Sequence, residues 1–196
     1  MPACQAERVV ERSVVLVEGV SDQVALEALA ARQGRRLAAE GVRIVPIGGA
    51  TNIGSHLARL GPRGLGVSLA GLCDAGEERQ FRGGLERAGF GAALTRADME
   101  SLGFYVCDED LEDELIRALL VAAVVEVIAA EGELGSLRRL QKQPAQRGRS
   151  PEAQLRRFMG TRSGRKQRYA RLLVDALDLG RVPRVLDGVL GHVAVG

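Results

Sequence analysis

Two carboxylates are spaced to share one corner near the start of the chain. The run at residues 13–17 is apolar, Glu18 and Gly19 follow it, and Asp22 comes four positions after Glu18. Such a run predicts a buried strand, and the residues after it predict the start of a helix. Open α/β sheets bind ligands at the carboxyl ends of their strands, and carboxylates suit hard cations such as Mg²⁺. We therefore expect metal or acid/base chemistry at this corner, although Asp22 alone is equally well explained as a helix cap.

Further acids follow two later apolar runs in the same way. Asp74 closes the run at 66–73, and Asp110 and Glu112 come after the run at 103–107. In a parallel sheet the carboxyl ends of all strands meet at one edge. Each of these acids alone is typical of a solvated loop, but together they predict a negatively charged pocket that holds a divalent cation.

The elements that must position these acids alternate along the chain. Short apolar runs predict strands, and patterns of helical period between them predict helices, which is typical of a mostly parallel α/β sheet. We predict strands at 13–17, 42–47, 66–73 and 103–107, and helices at 21–32, 52–60, 77–88, 111–131, 164–177 and 183–193, with a further helix beginning at Ser150-Pro-Glu. The expected organisation is an α/β domain at 12–120 followed by a basic helical subdomain at 121–196.

Charge is divided along the chain although the net charge of the 196 residues is only +2. Residues 74–114 contain 12 acidic and 4 basic side chains, whereas residues 138–171 contain 12 basic side chains and one acidic. An acidic region for cations beside a basic region for phosphates favours a nucleic-acid enzyme over a solvated basic helix pair. The aromatic content of 3%, without tryptophan, disfavours recognition by base stacking.

The cysteines and the hydropathy pattern bound the cellular context. Cys4, Cys73 and Cys107 are isolated, which predicts neither a disulfide framework nor a zinc site but small buried residues in a reducing compartment. The longest apolar helical run, at 119–130, is too short to span a bilayer, and no signal segment is evident. We expect a cytoplasmic protein without a membrane partner.

Several blocks resemble a known domain. Leu16-Val-Glu18-Gly-Val-Ser-Asp22 resembles the glutamate motif of the topoisomerase-primase (Toprim) domain. Gly48-Gly-Ala-Thr-Asn-Ile-Gly54, Gly71-Leu-Cys-Asp74 and Asp110-Leu-Glu112-Asp-Glu-Leu resemble the successive blocks of this domain in the OLD (overcoming lysogenisation defect) nucleases. The resemblance covers about residues 12–120 and implies a Rossmann-like Toprim fold. It further implies a two-metal nuclease in which Glu18, Asp22, Asp74 and Glu112 hold Mg²⁺ or Mn²⁺.

The chain departs from this family in two places. The usual Asp-x-Asp appears as Asp74-Ala-Gly76, so the second aspartate is missing, and Glu77, Glu78 or the acids at 108–110 are the available substitutes. OLD nucleases usually carry an ATPase upstream, whereas this sequence has no Gly-Lys pair and hence no phosphate-binding P-loop. Any ATP hydrolysis is expected from a separate ATPase partner.

A basic block later in the chain, Arg162-Ser-Gly-Arg165-Lys166-Gln-Arg168, resembles the end of OLD nucleases, where a lysine assists phosphodiester cleavage. Lys166 is thus the candidate for stabilising charge on the scissile phosphate, with a plain phosphate contact as the alternative. Arg162, Arg165 and Arg168 are the candidates for binding DNA.

The resulting hypothesis is a Mg²⁺- or Mn²⁺-dependent DNA endonuclease or nickase with a two-metal mechanism. Its catalytic candidates are Glu18, Asp22, Asp74 and Lys166, and its metal-ligand candidates are Glu18, Asp22, Asp74, Glu112, Asp110 and Glu77. The alternative is a non-catalytic Toprim module that binds nucleic acid or a partner protein in DNA repair or recombination. A third hypothesis is an α/β enzyme acting on small phosphorylated molecules, which the basic region disfavours.

Overall fold

A four-stranded parallel sheet forms the centre of the protein. The computed structural model describes residues 12–162 and 164–194. The sheet has the order β2-β1-β3-β4, and every neighbouring pair is parallel. The strands are β1 (Ser13–Val17), β2 (Val42–Pro46), β3 (Ser68–Cys73) and β4 (Phe104–Val106). The predicted α/β class with a parallel sheet is confirmed.

Helices follow the strands and then continue to the end of the described chain. They are α1 (Val20–Arg32), α2 (Ile53–Leu60), α3 (Glu78–Ala88), α4 (Arg96–Ser101), α5 (Leu111–Ala130), α6 (Leu134–Gln141), α7 (Pro151–Met159), α8 (Arg165–Ala176) and α9 (Arg184–His192). The sequence pattern missed α4 and α6. The predicted start of α7 is confirmed, because the Ser150 hydroxyl accepts a hydrogen bond from the backbone N–H of Ala153.

The sheet is covered on both faces, as parallel sheets require. Val15 and Val17 of β1 pack into one apolar cluster with residues of α1, α5, α8 and α9. Val14 and Leu16, which alternate with them, pack into the other cluster with residues of α2, α3 and α4. This double burial explains why the strands are continuous apolar runs in the sequence.

The C-terminal helices share the core on the first face. Arg32 at the end of α1 donates hydrogen bonds from Nη1 to the carbonyl oxygens of Val174 and Leu177, both at 2.6 Å. Helix α5 is interrupted at Leu120, whose backbone has φ 70° and ψ 152°. The division of the chain at residue 120 stays a prediction, but α8 packs against α1 and α5, and this brings its first turn to the carboxyl edge of the sheet.

Cys73 and Cys107 are buried free thiols, as predicted, and burial raises the pKa of both. Cys4 lies outside the described residues. None of the helices in the described part of the chain combines the length and the apolar character needed to cross a membrane.

Candidate metal centre

Glu18 and Asp22 occupy the corner between β1 and α1. Oε2 of Glu18 is buried and has no hydrogen-bond partner within the described part of the chain. Asp22 lies in the first turn of α1, is only 7% exposed, and accepts a hydrogen bond of 2.8 Å from the backbone N–H of Gly19. Asp22 therefore caps the start of α1, which is one of the two roles predicted for it, while its carboxylate also lies near Glu18.

Asp74 extends the same edge from β3, the strand that pairs with β1 in parallel. The backbone N–H of Ala75 donates to the carbonyl oxygen of Glu109 at 2.9 Å, which joins the loop after β3 to the loop after β4. Asp110 follows directly in that second loop. The parallel topology therefore brings acids from three strand ends to one edge, as the sequence predicted.

Glu112 and Lys166 form an ion pair at this edge. Glu112 lies in the first turn of α5 and is 3% exposed, and its Oε2 is 2.9 Å from Nζ of Lys166 in the first turn of α8. The other carboxylate oxygen, Oε1, is buried without a hydrogen-bond partner among the described residues. Glu112 thus has one oxygen held by an ammonium group and one unsatisfied.

The pKa shifts show that these acids share one electrostatic environment. Burial first, and then repulsion by Asp22 and Glu18, raises the pKa of Asp74 to about 7. Burial, Glu77 and Asp22 raise the pKa of Glu18. Glu18 and Asp74 therefore lie close enough to interact, as the sequence predicted, since the charge of Glu18 is one of the causes that raise the pKa of Asp74.

Burial is also the main cause that raises the pKa values of Asp22 and Glu112, and Lys166 opposes this in both. For Lys166 itself, burial acts to lower the pKa, but Glu112, Asp74 and Asp22 outweigh it and the pKa is raised. Lys166 therefore stays protonated and serves as the cation of an otherwise acidic pocket.

The residues that were considered for the missing aspartate fall into two groups. Glu78 is held by Arg82 at 3.1 Å and Arg96 at 2.8 Å, and Asp108 is exposed and paired with Arg117 at 3.0 Å. Glu77 and Asp110, in contrast, act on the cluster, because Glu77 raises the pKa of Glu18 and Asp110 raises that of Asp74. Glu77 and Asp110 are thus the better substitutes.

Asp110 has two further contacts. Its Oδ1 accepts the backbone N–H of Asp113 at 2.9 Å and so caps α5, and its Oδ2 is 2.9 Å from Nε of Arg156. Asp110 therefore links the acidic pocket to helix α7.

The structure does not support the assignment of Arg165 to DNA binding. The residue is 5% exposed, its Nη2 is 3.0 Å from Oε1 of Glu133, and its guanidinium lies 4.1 Å from the ring centroid of Phe158. Its Nη1 donates to the carbonyl of Phe158 at 3.1 Å and to Oγ1 of Thr161 at 2.6 Å. A guanidinium with these partners is part of the core, so we exclude Arg165 from the DNA-binding candidates. The burial of Arg165 depends on its contact with Glu133, which is 32 positions away in the sequence, so no local motif could have predicted it.

Arg162 and Arg168 are exposed, as DNA contacts require. Arg168 is nevertheless paired with Glu133, with 2.7 Å between Nη2 and Oε2, and its guanidinium lies 5.3 Å from the ring centroid of Tyr169. Both arginines line a pocket with Glu133, Gly164 and the largely buried Arg165. Of the two, Arg162 is the one without an ion-pair partner in the described part of the chain.

Sequence reasoning missed a groove along helix α7 that opens beside Glu112 and Lys166. Its remaining lining residues are Asp110, Arg149, Ala153, Arg156, Arg157 and Gly160. The basic residues of this groove lie in the basic region at 138–171 that the sequence showed. The DNA-binding candidates, however, were chosen from the motif around Lys166.

The donor set fits a hard divalent cation. All candidate ligands are carboxylates, two of their oxygens are buried and unsatisfied, and their raised pKa values show repulsion that a cation relieves. Across residues 12–162 and 164–194, no three acidic, histidine or cysteine side chains stand as a ready-made ligand set.

Comparison with known proteins agrees with the motif order. Residues 11–75, which include Glu18, Asp22 and Asp74, match the family model described as "Overcoming lysogenization defect protein-like, TOPRIM domain". The C-terminal region of the Xanthomonas campestris pv. campestris OLD protein, in the structure phased with platinum, is 25% identical, with a TM-score of 0.71 over 94% of this chain and 95% of that chain.

A second solved structure has the same fold. The C-terminal region of the Burkholderia pseudomallei OLD protein is 21% identical, with a TM-score of 0.70 over 95% of this chain and 99% of that chain. No curated protein matches the sequence. The likeness to the OLD C-terminal regions therefore extends through the helices after the matched domain.

Proposed function

We propose, from the premise that this chain carries an OLD-like Toprim domain, that it is a metal-dependent nuclease that hydrolyses DNA phosphodiester bonds. The observation that carries the proposal is the pocket of Glu18, Asp22, Asp74 and Glu112, which gathers buried and half-buried carboxylates around the ammonium group of Lys166. Toprim domains are typically of the nuclease or primase type and depend on metal, which supports this interpretation.

Glu18, Asp22, Asp74 and Glu112 would hold Mg²⁺ or Mn²⁺, with Glu77 and Asp110 available next to them. When bound, two such cations would supply activation of a water molecule and stabilisation of the leaving oxygen for phosphodiester hydrolysis. Oε2 of Glu18 and Oε1 of Glu112 are the best candidate metal-ligating atoms, because both are buried and have no hydrogen-bond partner in the described structure.

Lys166 would hold the scissile phosphate. Its side chain is 45% exposed, so the ammonium group can reach a ligand at the surface while Glu112 fixes its position. A protonated lysine stabilises the charge that develops on a phosphate oxygen. Arg162 and Arg168 on the adjacent surface stay candidates for DNA contacts.

The test is nicking of supercoiled plasmid by the purified protein with Mg²⁺ or Mn²⁺. Glu18→Gln and Asp74→Asn should each abolish nicking while the melting temperature shows a folded protein. Asp108→Asn is the matched control, because Asp108 is an exposed acid of the same edge that is paired with Arg117. Undiminished nicking by the Glu18 and Asp74 variants would refute the proposal.

The second candidate function is a Toprim module that binds nucleic acid or a partner protein without cleaving it. Gly76 in place of the usual aspartate is the observation that favours it. Calorimetric titration with Mg²⁺ distinguishes the two functions, since a module of this kind binds DNA without binding metal at the carboxylates. The separate ATPase stays a prediction, which co-purification with an ATPase would test.

A further inference from the structure

A groove runs along helix α7 from the acidic pocket into the basic region. We call it the α7 groove, and it is lined by Asp110, Glu112, Arg149, Ala153, Arg156, Arg157, Gly160 and Lys166. One part of the lining thus belongs to the carboxylate pocket, and the rest belongs to α7 and the segment before it. The arginines of this groove belong to the basic region expected to bind phosphates, but the sequence motifs gave none of them an individual role.

The arginines of the α7 groove differ in what holds them. Arg156 is bound to Asp110 at 2.9 Å and to Glu109 at 3.4 Å, so its charge is used within the protein. Arg149 and Arg157 are exposed, and neither has an ion-pair partner within residues 12–162 and 164–194. These two guanidinium groups are therefore available to a ligand of negative charge.

The spacing of Arg149 and Arg157 suits a chain of phosphates better than a single anion. Arg149 precedes the first turn of α7 and Arg157 lies in its last turn. The helix rises about 1.5 Å per residue, so the two positions, eight residues apart, are separated by roughly 12 Å along its axis. One strand of DNA places a phosphate about every 3.4 Å along the duplex axis, so the two arginines can contact different phosphates of one strand.

The lining also indicates which part of the DNA is contacted. Among the residues that line the groove none is aromatic, so base stacking is not available there. Contacts from arginine to phosphate fix the position of a strand without reading its sequence. The groove is accordingly suited to the sugar-phosphate backbone of any sequence.

We infer that the α7 groove is the path of the DNA backbone and that Arg149 and Arg157 hold phosphates that flank the bond to be cleaved. The inference rests on the proposed function for the position of that bond, which lies where the groove meets Glu112 and Lys166. It moves the principal DNA contacts from Arg162 and Arg168 to Arg149 and Arg157.

The test measures DNA binding without cleavage. In an Asp74→Asn background, binding of a fluorescently labelled duplex is followed by anisotropy at several salt concentrations. The variant Arg149→Ala/Arg157→Ala is compared with Arg36→Ala/Arg59→Ala, which removes the same charge from exposed positions that do not line the groove. Arg162→Ala/Arg168→Ala provides a third arm for the surface on α8.

Loss of two phosphate contacts should lower the slope of log affinity against log salt by about 1.8 for a duplex, because each contact contributes about 0.9. We expect this change, and an affinity at least tenfold weaker at low salt, only for the groove variant. An unchanged slope in the groove variant, or an equal loss in the Arg36/Arg59 control, would overturn the inference.

The binding assay also separates this inference from the proposed function. If the groove variant loses affinity while the wild-type protein nicks no plasmid with any cation, the nuclease proposal fails and the DNA path stands. If the wild-type protein nicks plasmid and the groove variant binds DNA with the full slope, the DNA path fails and the nuclease stands.

Discussion

Lys166 places its ammonium nitrogen 2.9 Å from a carboxylate oxygen of Glu112 and thereby joins α8 to the first turn of α5. The pair is asymmetric, because the Glu112 side chain is 3% exposed and the Lys166 side chain is 45% exposed. Glu112 therefore depends on Lys166 for its charge balance, whereas the lysine keeps access to solvent and to ligands.

Substitution of Lys166 by Met should destabilise the metal-free protein. Removing the partner of a buried charge is costly, but the exposure of Lys166 reduces the loss to about 1–2 kcal/mol. Urea unfolding at pH 7 measures the change. The double variant Lys166→Met/Glu112→Gln should recover part of it, because no buried carboxylate is then left unpaired. Equal stability of wild type and Lys166→Met would show that the pair contributes nothing.

The metal-free protein should lose stability as the pH rises from about 4 to about 7. Asp74 has its pKa raised from 3.8 to about 7, so folding favours its protonated form. That contribution is complete below the ordinary pKa and is lost as the pH rises through about 7, and it corresponds to about 2–4 kcal/mol. Groups with lowered pKa, such as Glu133 and His56, change stability in the opposite sense as the pH rises, so the contribution of Asp74 is the difference between the wild type and Asp74→Asn.

The measurement is the free energy of unfolding in a chelating buffer at several pH values. Asp74→Asn is the control, because it removes one titrating group and should make the profile less steep and leave the protein more stable than wild type at pH 7, while Glu18, Asp22 and Glu112 still contribute. Added Mg²⁺ should restore the stability of the wild type only. A wild-type profile parallel to that of Asp74→Asn would contradict the pocket described above.

The sequence predicted which acids lie at the carboxyl edge of the sheet. It did not predict which side chains those acids contact. Strands buried on both faces are continuous apolar runs, so the positions of Glu18 and Asp74 at strand ends followed directly. The contact between Lys166 and Glu112 joins residues 54 positions apart, and no local pattern reports it. Helix α4 was missed because six residues give too short a periodic signal.

Gly76→Asp should strengthen metal binding, since it restores the second acid of the Asp-x-Asp pattern. A Cβ atom at Gly76 meets no atom within 4 Å, so the side chain fits without displacing a neighbour. Calorimetric titration with Mg²⁺ or Mn²⁺ should show a dissociation constant lowered about tenfold, which corresponds to about 1.4 kcal/mol. Gly76→Asn has similar size and no charge, and it should bind metal as the wild type does.

Leu120→Gly should stabilise the protein. Leu120 has φ 70° and ψ 152°, a conformation that costs a side-chain-bearing residue about 1–3 kcal/mol and glycine far less. Its side chain is 55% exposed, so little apolar burial is lost. We expect a gain of about 1 kcal/mol in urea unfolding. Leu119→Gly is the control and should destabilise by about 1 kcal/mol or more, because it places glycine within helical backbone.

Arg165→Met should lower stability without acting on DNA directly. The substitution keeps a long side chain but leaves Oε1 of Glu133 and the Phe158 carbonyl without their donor, at an expected cost of about 3 kcal/mol. Arg162→Met, at an exposed position without an ion-pair partner in the described structure, should change stability by less than about 0.5 kcal/mol. Thermal unfolding and DNA binding below the melting temperature distinguish the two effects. Weakened DNA binding by folded Arg165→Met, with its stability unchanged, would return Arg165 to the DNA-binding surface.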